Sequence, residues 1–167
     1  DIIFGRFAPG TRIIEDRIME EHGAKRHTVR AAFSALEQRG LLVRKPNRGV
    51  EVVEYNPDEV DALYDVRIIL ETAAAARTSR PCPAPVLDRM DAIARQHEQA
   101  TKAKDFRTVF VLNQQFHELQ FSCCGNARLA QMIKDHARMA QPIRVVKYDD
   151  ADHMEEIVRQ HFAIIEA

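Results

Sequence analysis

The sequence predicts a mainly α-helical fold in two parts: an N-terminal pair of short helices closed by a small β-hairpin, followed by an all-α antiparallel helical bundle. Three observations predict it. Apolar residues recur at helical spacing on both sides of Gly23. The turn-forming run Pro46-Asn47-Arg48-Gly49 separates two short apolar stretches. From Pro57 to the end the helical period continues with no strand candidate between its pieces.

At 167 residues the chain is long enough for one large domain or two small ones. Its 46% hydrophobic and 29% charged residues are those of an ordinary soluble globular protein. No uncharged apolar run is long enough for a membrane span, so a membrane partner is not expected. Cys82, Cys123 and Cys124 are odd in number and lack metal-ligand spacing. They fit a reducing cytoplasm, and small buried apolar roles are expected for them.

The net charge of −1 conceals an asymmetry. Residues 1–55 hold ten Lys/Arg against eight Asp/Glu, whereas residues 56–167 hold fourteen against seventeen. Between Ala24 and Gly49 there are seven basic residues and the single acid Glu37. A basic segment in a nearly neutral chain points to a polyanionic partner.

The chain begins without methionine, at an apolar Asp1-Ile2-Ile3-Phe4 that resembles the tail of a helix. It stops at Ile164-Ile165-Glu166-Ala167 in the middle of a helical pattern, so missing parts at both ends are expected. After the turn Ala8-Pro9-Gly10, Ile13, Ile14, Ile18 and Met19 predict a first short helix ending at Gly23, with Glu15, Asp16 and Glu20 outward. A second helix is predicted from about His27 to Arg39, with Val29, Ala32, Phe33 and Leu36 as its apolar stripe. Lys25, Arg26, His27, Thr28 and Arg30 cluster at its beginning. A DNA recognition helix places this turn in the major groove, where Arg pairs with guanine and Lys or Thr reaches phosphate. Gly40 ends the helix, and Leu41-Leu42-Val43 and Val50 to Tyr55 read as the strands of a hairpin. Such a hairpin is a wing, and Arg48-Gly49 at its tip would reach an adjacent groove or the backbone.

About five further helices are predicted, over residues 57–79, 84–103, 105–123, 126–147 and 152 to the end. Asn56-Pro57-Asp58 is a helix start, which places the domain boundary between residues 55 and 56. In the first of these helices Val60, Leu63, Tyr64, Arg67, Leu70, Glu71 and Ala74 share one side. Arg67 either pairs with Glu71 one turn away or meets a ligand carboxylate. Asn113 and His117 lie one helical turn apart and could hold one metal ion, and His161 on the last helix could converge on it. The alternative is that these histidines are simply hydrogen-bonded or exposed. His22, His97, His136 and His153 have no such context.

Gly5, Pro9-Gly10, Arg12 to Glu15, Gly23, Arg26, Val29-Arg30, Leu36-Glu37, Gly40-Leu41 and Arg48-Gly49 follow in order a pattern that resembles the GntR family of bacterial regulators. Lys25 stands where that family usually has Ser, and His27-Thr28 where Thr-Pro is common, departures that would alter which operator is read. The resemblance implies a winged helix-turn-helix with a further helix before residue 1. Tyr64-Asp65-Val66-Arg67 through Leu70-Glu71, Asn113 to His117, Gly125-Asn126 and His161 with Ile164 and Ala167 resemble the FCD ligand-binding domain of the FadR branch. In many such domains an Asp or Asn, the His four residues on and two later histidines bind a divalent metal beside the effector. Asn113, His117 and His161 match the first three positions, and the fourth would lie beyond the end of this chain. Asn in place of Asp removes a negative charge and should weaken metal binding.

The expected protein is a cytoplasmic, homodimeric repressor of near-palindromic operator DNA, not an enzyme. Lys25, Arg26, His27, Thr28, Arg30, Arg48 and Gly49 would contact DNA. A small organic acid would bind near a divalent ion of the Zn, Ni or Mn class held by Asn113, His117 and His161, and would meet Arg67. The alternatives are a helical metalloenzyme acting on a small acid, for which no positioned acid, base or nucleophile is evident, and a constitutive DNA-binding protein with a structural metal.

Overall fold

Gly23 sets the first corner of the chain. It closes the helix α1 (Glu15–His22) in the left-handed conformation at φ 59°, where a side chain would be strained, and Ala24 N–H then donates to Met19 O at 3.1 Å. The helix α2 (Arg26–Gln38) follows after three residues, Gly23 to Lys25, which is the tight connection of a helix-turn-helix. This computed structural model describes the chain except for residues 1, 3–5, 47, 79–80 and 145–149. The helix tail expected at Asp1 to Phe4, the family position Gly5, and the turn residue Asn47 therefore lie outside the described residues, Ile2 apart. So do the last residues predicted for the helices ending at 79 and 147, and residues 148 and 149 of the break expected from Tyr148 to Asp152.

The hairpin consists of β2 (Leu42–Lys45) and β3 (Gly49–Val52), antiparallel, with Leu42 opposite Val52 and Lys45 opposite Gly49. A third strand, β1 (Arg12–Ile13), pairs with the other edge of β3, Ile13 opposite Val50, giving the order β1-β3-β2. This corrects the sequence reading, which put Ile13 in the first helix. A strand of two residues shows no alternation of its own, and its partner lies far along the chain. Ile13, Val29, Phe33, Leu42, Val50 and Val52 close into one buried core, against which Ile18, Met19 and Leu36 pack. Burying a side chain such as Phe33 there contributes roughly 1.5–3 kcal/mol. Ala32, expected in the stripe of α2, is exposed instead.

Six helices follow: α3 (Pro57–Arg77), α4 (Ala84–Lys102), α5 (Phe106–Ser122), α6 (Ala127–Met139), α7 (Gln141–Arg144) and α8 (Ala151–Glu166). The start of α3 is a reciprocal cap, in which Asn56 Oδ1 accepts from Glu59 N–H and Asn56 N–H donates to Glu59 Oε2, both at 2.9 Å. The single helix expected over 126–147 is broken between Met139 and Gln141. Pro142 is the reason: it has no N–H for the carbonyl four residues back, and its ring clashes there, so it is accommodated in the first turn of a new helix.

By internal contacts the chain divides into two compact units, residues 1–64 with 135–145, and residues 65–134 with 146–167. In the second, one core gathers Ala74, Cys124 and Ile133 with Leu70, Phe121 and Leu129. Another gathers Met90, Ala94 and Phe116 with Leu119, Phe162 and Ile165, joining α4, α5 and α8. Among the described residues no helix is long and apolar enough to cross a membrane.

Candidate DNA-recognition surface and buried histidine cluster

The first turn of α2 contains no acidic residue, and Lys25, Arg26, His27, Thr28 and Arg30 are all exposed there. Val29 and Phe33 point the opposite way, into the core, so the α-helical period itself turns the polar set outward. Arg26 and Arg30 are not isolated cations. Arg26 Nη2 donates to Asp16 Oδ1 at 2.7 Å, and Arg30 Nε donates to Glu15 Oε1 at 2.9 Å, which ties α2 to the first turn of α1. Exposed pairs of this kind contribute about 0–1 kcal/mol each, so a phosphate can displace the carboxylate at little cost. Glu15 and Asp16 are residues of this surface that the sequence reading left as plain solvent-facing acids; their contact partners lie on the other helix.

In the hairpin Arg48 is exposed, and its N–H donates to Lys45 O at 3.1 Å. Gly49 follows at φ 81°, a conformation that favours glycine and lets the chain re-enter β3 opposite Lys45. Arg44 Nε pairs with Glu37 Oε1 at 3.1 Å.

The second site lies inside the helical part. Arg67 Nε and Nη2 contact Glu71 Oε1 at 3.0 and 2.9 Å, the one-turn pairing that was one of its two expected roles. Asn113 is buried on α5, His117 is half-buried one turn later, and His161 is buried on α8. The His117 and His161 ring centroids are 5.3 Å apart, so the structure brings together these two predicted residues from separate helices. Phe116 stacks on His161 at 4.1 Å. His117 Nδ1 lies 2.9 Å from Gln120 Oε1; when Nδ1 carries the proton it donates there.

The sequence reading left His97 without a role, and the structure places it in this cluster. It is fully buried on α4, with its ring centroid 4.7 Å from that of His161. Neither His97 nitrogen, nor Asn113 Oδ1, nor Thr101 Oγ1 one turn along α4, has a hydrogen-bond partner among the described residues. Burial pushes the His97 imidazole down to about 4, so it is neutral near pH 7. The signal was available in the sequence, because Met90, Ala94 and His97 share a core-facing spacing on which a histidine is out of place. Each unsatisfied buried polar group costs about 1–3 kcal/mol, so several of them within the helical part call for polar partners.

Among the described residues no three His, Cys, Asp or Glu side chains are already placed to hold one metal ion. The donor chemistry nevertheless suits one: an orphaned amide oxygen and imidazoles from three helices, each buried or half-buried. An ion would require the rings to turn toward a common point.

The family model for bacterial regulatory proteins of the gntR family matches residues 1–52, and that for the FCD domain matches residues 62–167. The chain belongs to the GntR family, with an FCD domain. It is a DNA-binding transcriptional regulator and not an enzyme, as its relatives are. An uncharacterized HTH-type transcriptional regulator, YdhC of Bacillus subtilis, is 29% identical over 99% of this chain and 74% of its own length. The HTH-type transcriptional repressor RspR of Escherichia coli is 25% identical over 100% of this chain and 73% of its own. Among solved structures, a GntR transcriptional regulator from Rhodococcus sp. RHA1 superposes with TM-score 0.78 at 25% identity, over 99% of this chain and 79% of that one. E. coli McbR/YncC shares the fold at TM-score 0.73 and 20% identity, over 99% of this chain and 91% of that one. The mainly α fold with a hairpin wing agrees with the expectation from sequence, to which the structure adds the third strand β1.

Proposed function

We propose that this GntR-family regulator is a cytoplasmic repressor that binds a near-palindromic operator as a homodimer and is controlled by a small organic acid. Residues 1–55 would form its DNA-binding part and residues 56–167 its effector-binding part. The observation that carries the reading is the exposed, acid-free first turn of α2 within a winged helix-turn-helix. Arg26 or Arg30 can pair with a guanine edge, Lys25, His27 and Thr28 can reach bases or phosphates, and Arg48 with Gly49 can follow the backbone. Repression is supported by the E. coli relative, which is named a repressor. Exposed Val66, Ile68 and Ile69 on α3 supply apolar surface for a second copy.

Asn113, His117 and His161 would hold a divalent ion of the Zn, Ni or Mn class, which when bound supplies a Lewis-acid contact for the effector's carboxylate. Arg67 would meet the same acid, whose carboxylate competes with Glu71 for the guanidinium. The effector changes DNA affinity only by the difference in its affinity for two arrangements of the dimer.

The test is binding to DNA from the protein's own upstream region at two salt concentrations, wild type beside Arg30→Ala, then with candidate organic acids with and without a chelator. The expected result is tight, salt-sensitive binding weakened by Arg30→Ala and altered by an acid in a chelator-dependent way. Binding without sequence preference overturns the operator reading. Operator binding indifferent to every acid and to chelation leaves a constitutive binder instead.

A further inference from the structure

We infer that His97 is a metal ligand, which together with Asn113, His117 and His161 makes an uncharged set of three imidazoles and one amide oxygen suited to a borderline transition-metal ion. The inference rests on the metal-bearing reading proposed above and adds to it a residue outside the motif that suggested that reading.

The position is the first argument. Met90, Ala94, His97 and Ala100 form the buried face of α4, and an apolar side chain at 97 would complete that face without penalty. Histidine there leaves two ring nitrogens without partners among the described residues, fully buried, beside a second buried histidine. Asn113, buried on α5 one turn before His117, leaves its Oδ1 in the same condition among the described residues.

Spacing is the second. With metal–nitrogen bonds of about 2.0–2.1 Å, two imidazoles on one tetrahedral ion have ring centroids roughly 5 Å apart. The His97–His161 and His117–His161 centroids are 4.7 and 5.3 Å apart, at interplanar angles of 71° and 70°. His161 thus stands at a centroid spacing compatible with ligand sharing from a histidine on each side, and the rings would have to turn for their nitrogens to meet at one ion.

Charge and softness are the third. No carboxylate belongs to the set, so a hard ion such as Mg²⁺ or Mn²⁺ gains little from it. Imidazole suits Zn²⁺, Ni²⁺ and Co²⁺, and three imidazoles can replace the attraction that a carboxylate at position 113 would have given. His97 therefore narrows the metal class, with Mn²⁺ excluded in favour of nitrogen-seeking ions.

The experiment is metal titration of the metal-free chain with Zn²⁺ against a chromophoric chelator, with Mn²⁺ as comparison, on wild type, His97→Leu, His117→Leu and the surface control His22→Gln. X-ray absorption on the zinc-loaded wild type counts imidazoles independently of any variant. The expected result is one zinc per chain, three imidazoles, strong preference over Mn²⁺, and affinity unchanged by His22→Gln. Loss of an outer-shell partner typically costs 10–100-fold in metal affinity, so His97→Leu should cost about 100-fold or more. Zinc bound with two imidazoles, or with affinity unchanged in a folded His97→Leu, overturns the role of His97 and leaves the original three-residue site standing. No zinc bound by the wild type at micromolar concentration overturns both metal statements, with His97 then satisfied by buried water, while operator binding is read out separately. If His97→Leu does not fold, the imidazole count on the wild type decides.

Discussion

Arg30 Nε donates to both carboxylate oxygens of Glu15, at 2.9 and 3.2 Å, so a cation proposed to meet DNA is held in the free protein by an acid of the neighbouring helix. Glu15 also lies 3.5 Å from Arg26 Nη1, so under the proposed DNA reading this one carboxylate acts as a brake on two arginines.

Removing the brake should strengthen DNA binding. Glu15→Gln is expected to raise operator affinity and Arg30→Ala to lower it, with the salt dependence of log K falling by about one unit in the latter. Chemical denaturation of Glu15→Gln should show a stability change below about 1 kcal/mol, because the pairs are exposed. An equal or weaker affinity for Glu15→Gln, measured by fluorescence anisotropy, would remove Glu15 from the recognition surface.

The acid limb of stability should depend on Asp105. Its side chain caps α5, accepting from Thr108 Oγ1 at 2.6 Å and Thr108 N–H at 3.1 Å, and these hydrogen bonds hold its pKa below the ordinary value of 3.8. A carboxyl whose folded pKa is depressed contributes stability above its unfolded pKa and loses it as pH falls through the folded one. Asp105→Asn should therefore flatten the decline in melting temperature below about pH 4. A wild-type and variant pair with parallel acid limbs would contradict this assignment.

A charge on the exposed side of α3 should act on self-association. Val66 is 39%, Ile68 61% and Ile69 68% exposed, a cost in solvent that a second copy would remove. Ile69→Glu is expected to shift sedimentation toward monomer and to weaken operator binding with it, since each half-site would then be bound alone. Unchanged sedimentation would place the dimer contact elsewhere.

Cys82 and Cys123 should respond to oxidant as a pair. Their Sγ atoms are 4.0 Å apart, both residues are half-buried, and Cys124 is buried away. With hydrogen peroxide, two thiols give up two protons and two electrons to form one disulfide, and the peroxide becomes two waters. Burial first and the neighbouring Cys123 second raise the Cys82 thiol, so the reaction should accelerate with rising pH. Free thiols should fall from three to one, and Cys82→Ser should prevent the intramolecular product. Retention of all three thiols at high pH would show that the pair does not close.

Much of the fold was legible because its signals are local. Gly23 and Gly40 ended helices, Asn56-Pro57 began one, and the exposed basic turn of α2 followed from a 3.6-residue period set by Val29 and Phe33. Asn113 and His117 share one α-helical face by spacing alone. The miss at 126–147 was local too: Pro142 was in view, and its cost inside a helix outweighs the continuing apolar period.

What the sequence by itself determined is a helix-turn-helix with a hairpin followed by further helices, and the residue types available at each candidate site. The tertiary structure decided which of these residues meet. It turned Ile13 into a strand by offering it Val50, engaged Arg26 and Arg30 with Asp16 and Glu15, and carried His97 and His161 from α4 and α8 to 4.7 Å from each other. Periodicity and turn chemistry act within a few residues and can be read along the chain, whereas strand pairing, ion pairing across helices and the convergence of buried side chains depend on packing between segments remote in sequence.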